Sequence, residues 1–219
     1  DANVPPGVSA PVTVTVYPGN QPPTATIALT NTTTPGRTDY YMHDTWAFGV
    51  ASASDDQPLP VDAFAWEIVF HHQTHHHPFI PFFAGQQGSF AIQVEEPDPV
   101  QWYRVILRVT DEQGQTTEVY RDIEPVVVQG VLSTRPVGGL VLVDGVTRTT
   151  PFTLTRIVDY TFTVESPAEQ PITGFPWRFD HWESGRPISY TLAMPPAGWG
   201  DTLVLAPGQG RIVLPFLGR

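Results

Sequence analysis

Valine and threonine alternate through "PVTVTVYPGN", which places Val12, Val14 and Val16 on one side of an extended segment and Thr13 and Thr15 on the other. The following "GNQPP" ends that strand, because paired prolines cannot sit in the middle of a sheet. A new strand begins at "TATIAL". In "FAWEIVF" the period of two returns, with Phe64, Trp66, Ile68 and Phe70 on one face and Ala65, Glu67 and Val69 on the other. "YRVILRVTDEQGQ" repeats it. Tyr103, Val105, Leu107 and Val109 share a face, Arg104, Ile106 and Arg108 take the opposite one, and "DEQG" supplies the turn. "TTEVYRDIEP" gives one more strand before a proline stops it.

Beyond Pro125 the texture changes to shorter strands, with an Asp144-Gly145 pair between alternating apolar runs as a hairpin signal. No segment sustains a helical period of 3.6. The pattern predicts an all-β chain of two tandem β-sandwich domains. An extended segment occupies 1–19, the first sandwich 20–127, a second, smaller one 128–206, and a tail 207–219, with the boundary near 125–131 and a short, stiff connection.

Composition supports this picture and removes several classes of function. The 24 prolines and 18 glycines among 219 residues are dispersed between apolar runs, as many short strands with tight turns require. No apolar run reaches the roughly 18–20 residues of a membrane helix. Net charge is −11, and the 11 basic residues are all arginine, which argues against binding nucleic acid through its phosphates. Without lysine there is no Schiff-base or P-loop chemistry, and without cysteine no thiolate or disulfide. Acidity with abundant Thr, Pro and Gly fits a periplasmic or extracellular β-protein. The opening "DANVPPGVSAP" has neither a charged region nor an apolar core of a leader, so any signal peptide is expected to lie outside this numbering.

Three stretches carry a resemblance: "NQPPTATI" opening the first domain, the tryptophan-centred strand after "SASDDQPLP", and "YRVILRVTDEQG" near its end. They resemble the PKD-type, immunoglobulin-like β-sandwich, with "WEIVFHH" where that family usually reads "WDFGDG". The longer "AFAWEIVFHHQTHHHPF", with "GSFAI", is similar to a variant appended to secreted bacterial quinoprotein sugar dehydrogenases. "STRPVGGLVLVDGVTRTTPF" and "FDHWESG" look like the β-rich module that often follows it, and the likeness spans about residues 20–206. It implies an accessory region without the enzyme's propeller, haem-binding cysteines or quinone site.

Chemistry concentrates in "FHHQTHHHPF", where five histidines occupy ten positions. His75 and His77 would share a strand face, and a turn at Gln73-Thr74 could return His71 or His72 to them. His71, His72, His75 and His77 are therefore candidate ligands for one Zn²⁺, Ni²⁺ or Cu²⁺ ion, with Asp55, Asp56 or Glu67 as a carboxylate ligand or acceptor. The spacing matches no established zinc signature. The competing expectation, ranked first, is an ordered turn whose imidazoles bond backbone carbonyls and stack on Phe70, Phe79 and Phe82.

Acidic pairs at Asp55-Asp56, Glu95-Glu96 and Asp111-Glu112 fall in predicted turns, the first being a modest calcium candidate. No G-x-S-x-G elbow is present, and Ser184 beside His181 and Glu183 is only an adjacency in sequence. Trp66 is expected in the core, while Trp102 points opposite to Tyr103. Trp102, Trp177, Trp182, Tyr190 and Trp199 are candidate contacts for a protein partner or a sugar ring, and at least two of them are expected instead to plug the ends of a small sandwich. The terminal "GQGRIVLPFLGR" is a candidate docking segment.

These observations favour a non-enzymatic, extracytoplasmic scaffold subunit that contacts other proteins of a larger assembly. It needs no cofactor beyond a candidate divalent metal at the histidines, and any membrane association runs through partners. A carbohydrate-binding accessory module is the alternative. A small metal-dependent enzyme is a third reading, resting on the histidines alone.

Overall fold

The alternation carries into the backbone as a succession of strands. The computed structural model describes residues 19–93, 98–170, 172 and 176–208, and these form fifteen strands and no helix. Among the described residues no helix is long and apolar enough to cross a membrane. The all-β expectation is met. The Val12–Val16 strand, the Glu95-Glu96 pair, and the tail from residue 209 onward lie outside the described residues.

The first seven strands are β1 (Thr24–Asn31), β2 (Thr45–Ser54), β3 (Phe64–His72), β4 (His75–Ala84), β5 (Gln87–Ala91), β6 (Gln101–Thr110) and β7 (Thr116–Ile123). They form two antiparallel sheets, ordered β1-β2-β5 and β4-β3-β6-β7. Strand β6 is the clearest product of the pattern. Tyr103, Val105, Leu107 and Val109 are all fully buried, and the residues between them are half-exposed. Across the interior, Phe48 of β2 meets Trp66 of β3 at 4.8 Å between ring centroids, and Phe90 of β5 meets Tyr103 at 5.6 Å. Each fully buried large side chain contributes roughly 1.5–3 kcal/mol relative to exposure. The indole N–H of Trp66 donates to the Gly85 carbonyl at 2.9 Å, so the most buried ring keeps its polar atom satisfied.

At one edge of the second sheet, β4 carries Pro78 and Pro81, which lack the N–H that a neighbouring strand would need. Register slips between β3 and β4 occur in this region, between Trp66 and Ile68 and again between Ile68 and Val69.

The remaining strands are β8 (Val127–Arg135), β9 (Leu140–Val143), β10 (Val146–Thr149), β11 (Phe152–Ile157), β12 (Thr161–Glu165), β13 (Trp177–Trp182), β14 (Ser189–Ala193) and β15 (Trp199–Pro207). They build sheets ordered β11-β8-β15-β13 and β10-β9-β12-β14 around a second core of Leu132, Val141, Leu154, Phe162, Trp182 and Leu203. The β9–β10 hairpin turns at Asp144 and Gly145, whose φ angles of 52° and 76° are the paired positive values of a tight two-residue turn. Strand β15 runs parallel to β8, and their backbones approach so closely at Gly130 that a Cβ there would lie 2.8 Å from the Trp199 carbonyl oxygen.

Hydrogen bonds weld the two halves together. Within the first half Tyr40 N donates to Glu124 O (2.8 Å) and Val126 N to Tyr40 O (2.9 Å), and across the joint Val158 N donates to Val126 O (2.9 Å) and Met42 N to Val158 O (3.0 Å). Ile157, at the end of β11, is 1% exposed and belongs to the first core, not the second. Tyr40 is fully buried in the same seam, and burial, with Tyr103 and Glu124 nearby, pushes its phenol well above the ordinary range. Removing the Ile157 side chain should therefore be felt across the seam. Ile157→Ala is expected to cost about 2–5 kcal/mol and to speed amide exchange at Val105 and Leu107 in β6. Unchanged protection in β6 would show that the seam does not couple the two cores.

Candidate functional site

The turn between β3 and β4 is two residues long and fixes where each histidine points. Gln73 takes a positive φ of 50°, its N–H donates to the Val100 carbonyl at 2.9 Å, and its side-chain amide reaches Asp98 Oδ2 at 2.9 Å. The hairpin tip is thereby fastened to the segment that enters β6. In this register His72 faces His75, His71 faces His76, and Phe70 faces His77. Directly opposed residues of an antiparallel pair share a face of the sheet, and successive residues alternate.

The sheet therefore divides the histidines. His72, His75 and His77 share the face of fully buried Phe70, with His72 buried and His75 and His77 exposed at the hairpin end. His72 stacks on Phe70 at 5.1 Å, His77 meets its edge at 5.7 Å, and the His72 and His75 ring centroids are 3.8 Å apart. His71 and His76 stand on the outer face, stacked at 5.1 Å. The expected metal set of His71, His72, His75 and His77 does not converge, because His71 projects from the opposite side of β3. Among the described residues no group of three or more His, Asp or Glu side chains is arranged to hold a metal ion. Of the expected carboxylates, Glu67 shares the outer face with His71 and His76. Asp55 and Asp56 line a separate depression beside Pro58, Leu59 and Phe64. Stacking on Phe70 is present. Phe79, however, packs on Phe90 and Tyr103, and Phe82 lies under Arg108.

On the outer face His71 joins a larger array. Its imidazole lies 4.6 Å from the Trp102 indole with only 11° between their planes. Trp102, His71 and His76 thus form one row of rings across β6, β3 and β4. The next rank holds Arg104, whose guanidinium lies 3.8 Å from the Tyr120 ring centroid. It donates twice to Asp122, from Nε and from Nη2, each at 2.8 Å. Further along, Arg108 bonds Glu118 at 3.0 Å and lies over Phe82 at 4.1 Å. Guanidinium over an aromatic face gains cation–π attraction, and the carboxylate holds its plane in place.

Two depressions flank this row. One of about 360 Å³ opens toward β4 beside Glu67, His71, His76 and Arg104. The other, about 460 Å³, opens toward β7 and the seam beside Trp102, Arg104, Asp122, Glu124 and Val127. Burial lowers the His71 imidazole pKa, and nearby Arg104 and His76 lower it further. Burial raises the Glu124 carboxyl, helped by Asp122 and Asp39.

The aromatic residues of the second half go elsewhere. Trp182 is fully buried in the second core, so the expectation that it contacts a ligand is corrected. Its strand has a bulge between Phe179 and His181 that resets the alternation and turns Trp182 inward. Trp177, Tyr190 and Trp199 are half-buried against that core, with Trp199 against Phe162 at 5.8 Å and Tyr190 against Trp182 at 5.5 Å. The Tyr190 hydroxyl donates to Asp201 Oδ2 at 3.1 Å, and burial with the Asp201 charge pushes its pKa well up. Ser184 also bonds Asp201 through its hydroxyl, while His181 bonds Asp180 at 2.8 Å. The Ser184–His181 adjacency therefore makes no pair.

Sequence reasoning did not select Arg104, Asp122 or Glu124 for the site. The signal was present. Arg104 follows Trp102 by two on β6, and Glu118, Tyr120, Asp122 and Glu124 alternate along "TTEVYRDIEP". Comparison with family models, curated proteins and solved structures finds no match to this chain. The chemistry of the face thus rests on its side chains.

A pH dependence follows from His71. Its folded pKa lies below the ordinary 6.5, so as pH falls the unfolded chain takes up its proton first. The stability this residue contributes is complete above about pH 6.5 and is lost as pH drops through the folded value. The melting temperature should fall between pH 7.5 and 5, and His71→Phe, which keeps a ring but cannot titrate, should flatten the slope. Equal slopes in the two proteins would remove His71 as the cause.

Proposed function

We propose that the chain is a non-catalytic, extracytoplasmic interaction subunit of two tandem immunoglobulin-like β-sandwich domains, the first of PKD type, that braces other proteins in a larger assembly. The observation that carries this reading is the seam. Val158 bonds the first half through its N–H to Val126 and through its carbonyl to Met42, and with the insertion of Ile157 into the neighbouring core this makes the joint part of the folded interior. A spacer that transmits position needs such a joint, whereas domains linked only by flexible chain move independently. The outer face of β4-β3-β6-β7 supplies a contact surface of suitable composition. Arginine and aromatic residues dominate protein-interface hot spots, and here Arg104 with Tyr120 and Arg108 with Phe82 are held in fixed pairs. The resemblance to accessory regions of secreted enzymes fits the same role and compartment.

Native mass spectrometry of the chain isolated gently from its source should find it together with other subunits, and Tyr120→Asp combined with Arg108→Glu should release it. A lone 24.1 kDa species that captures no envelope protein would sink the proposal.

A carbohydrate-binding accessory module is the second reading. One observation favours it: the Trp102 indole walls a depression that also holds two carboxylates and a guanidinium.

A further inference from the structure

His71 covers the Trp102 indole from the β3 side at stacking distance, and the hollow beside Trp102 opens on the β7 side. Trp102 is half-buried and lines that hollow, and an aromatic ring at the wall of a hollow is a surface for another flat apolar group. The hollow, about 460 Å³, lies in the range of small-ligand sites. Its polar groups are few and held in place. Arg104 is fixed by two bonds from Asp122 and by the Tyr120 ring. Glu124 is anchored through its backbone, since its carbonyl accepts the Tyr40 N–H in the seam. Val100 and Val127 stand at the rim, 55% and 41% exposed, and present apolar surface to solvent.

We propose that this hollow is a subsite for one pyranose ring of a neutral or amino-bearing glycan. The inference rests on the carbohydrate-binding reading above and gives it a location and a ligand class. A pyranose matches the site on both sides of its chemistry. Its face of C–H bonds stacks on the indole of Trp102. Its rim of hydroxyls donates to the carboxylates of Asp122 and Glu124 and accepts from Arg104, using lone pairs and N–H groups that the internal ion pair leaves available. The arrangement selects by charge. Two carboxylates face a single guanidinium, in a chain of net charge −11, so a uronic or sialic acid would meet repulsion at close range. An amino sugar gains instead. Because Arg104 and its partner are already fixed, binding loses little side-chain freedom there.

The test uses the full chain on a glycan array, followed by titration of the glycans that bind. Neutral or amino-bearing glycans should bind and acidic ones should not. Trp102→Ala should weaken binding about tenfold or more, and Trp102→Phe should retain part of it. Glu124→Gln, at an exposed position, carries the same test should Trp102→Ala unfold, and it should weaken binding without lowering the melting temperature. Glycans that bind equally well to wild type, Trp102→Ala and Glu124→Gln would overturn the subsite while leaving the carbohydrate reading in place. Binding of acidic glycans alone would overturn the ligand class. A silent array would overturn subsite and reading together.

Discussion

The pairing register of β3 against its two neighbours determines the whole outer face. Trp66, Ile68 and Phe70 are each fully buried, and a slip of one residue would put all three in water. At roughly 1.5–3 kcal/mol for each side chain, that cost dwarfs anything the imidazoles could recover by gathering on one side. The histidines therefore follow the core. His72 goes inward because Phe70 does, and His71 goes outward because it lies between them. Once His71 points out, Trp102 is its partner through the β3–β6 register, and the row of rings is complete.

The hollow beside Trp102 depends equally on the joint between the two halves. Its far side is formed by Glu124, Pro125 and Val127, the residues through which the chain passes from β7 to β8. The seam holds this passage by its backbone, with Tyr40 bonded on either side of Pro125. Fixing the joint thus fixes the backbone of Glu124 relative to the strand that carries the indole. The joint and the wall of the hollow share the same few residues.

Much of this was legible in the sequence, and the failures have physical causes. Period-two alternation located β3, β6 and β7 and put Trp102 opposite Tyr103, because burial of one sheet face writes directly into that pattern. The Asp144-Gly145 turn was legible because few residue pairs adopt two positive φ angles in succession. The split of the histidines was not, since it depends on which residues oppose each other across a hairpin whose turn lacks glycine, asparagine and aspartate. Trp182 was misplaced for a related reason. Alternation from Trp177 and Phe179 predicts an outward Trp182, and the bulge that reverses it leaves no glycine or proline in "WRFDHW". Neither could alternation find the hollow, because Trp102 meets Glu124 and Val127 only after β7 has returned along β6.

The prolines of β4 set a limit on how this molecule can join others. An edge strand with open donors and acceptors invites another chain to extend the sheet, and such growth ends in fibres as easily as in complexes. Pro78 and Pro81 remove two donors from an edge of histidine and apolar side chains, "HHHPFIPFFA". Whatever meets the protein on that side must recognise its side chains, because the backbone offers no continuous ladder to copy. Specificity there lies in shape and charge, and strand addition at β4 meets two gaps in its row of donors.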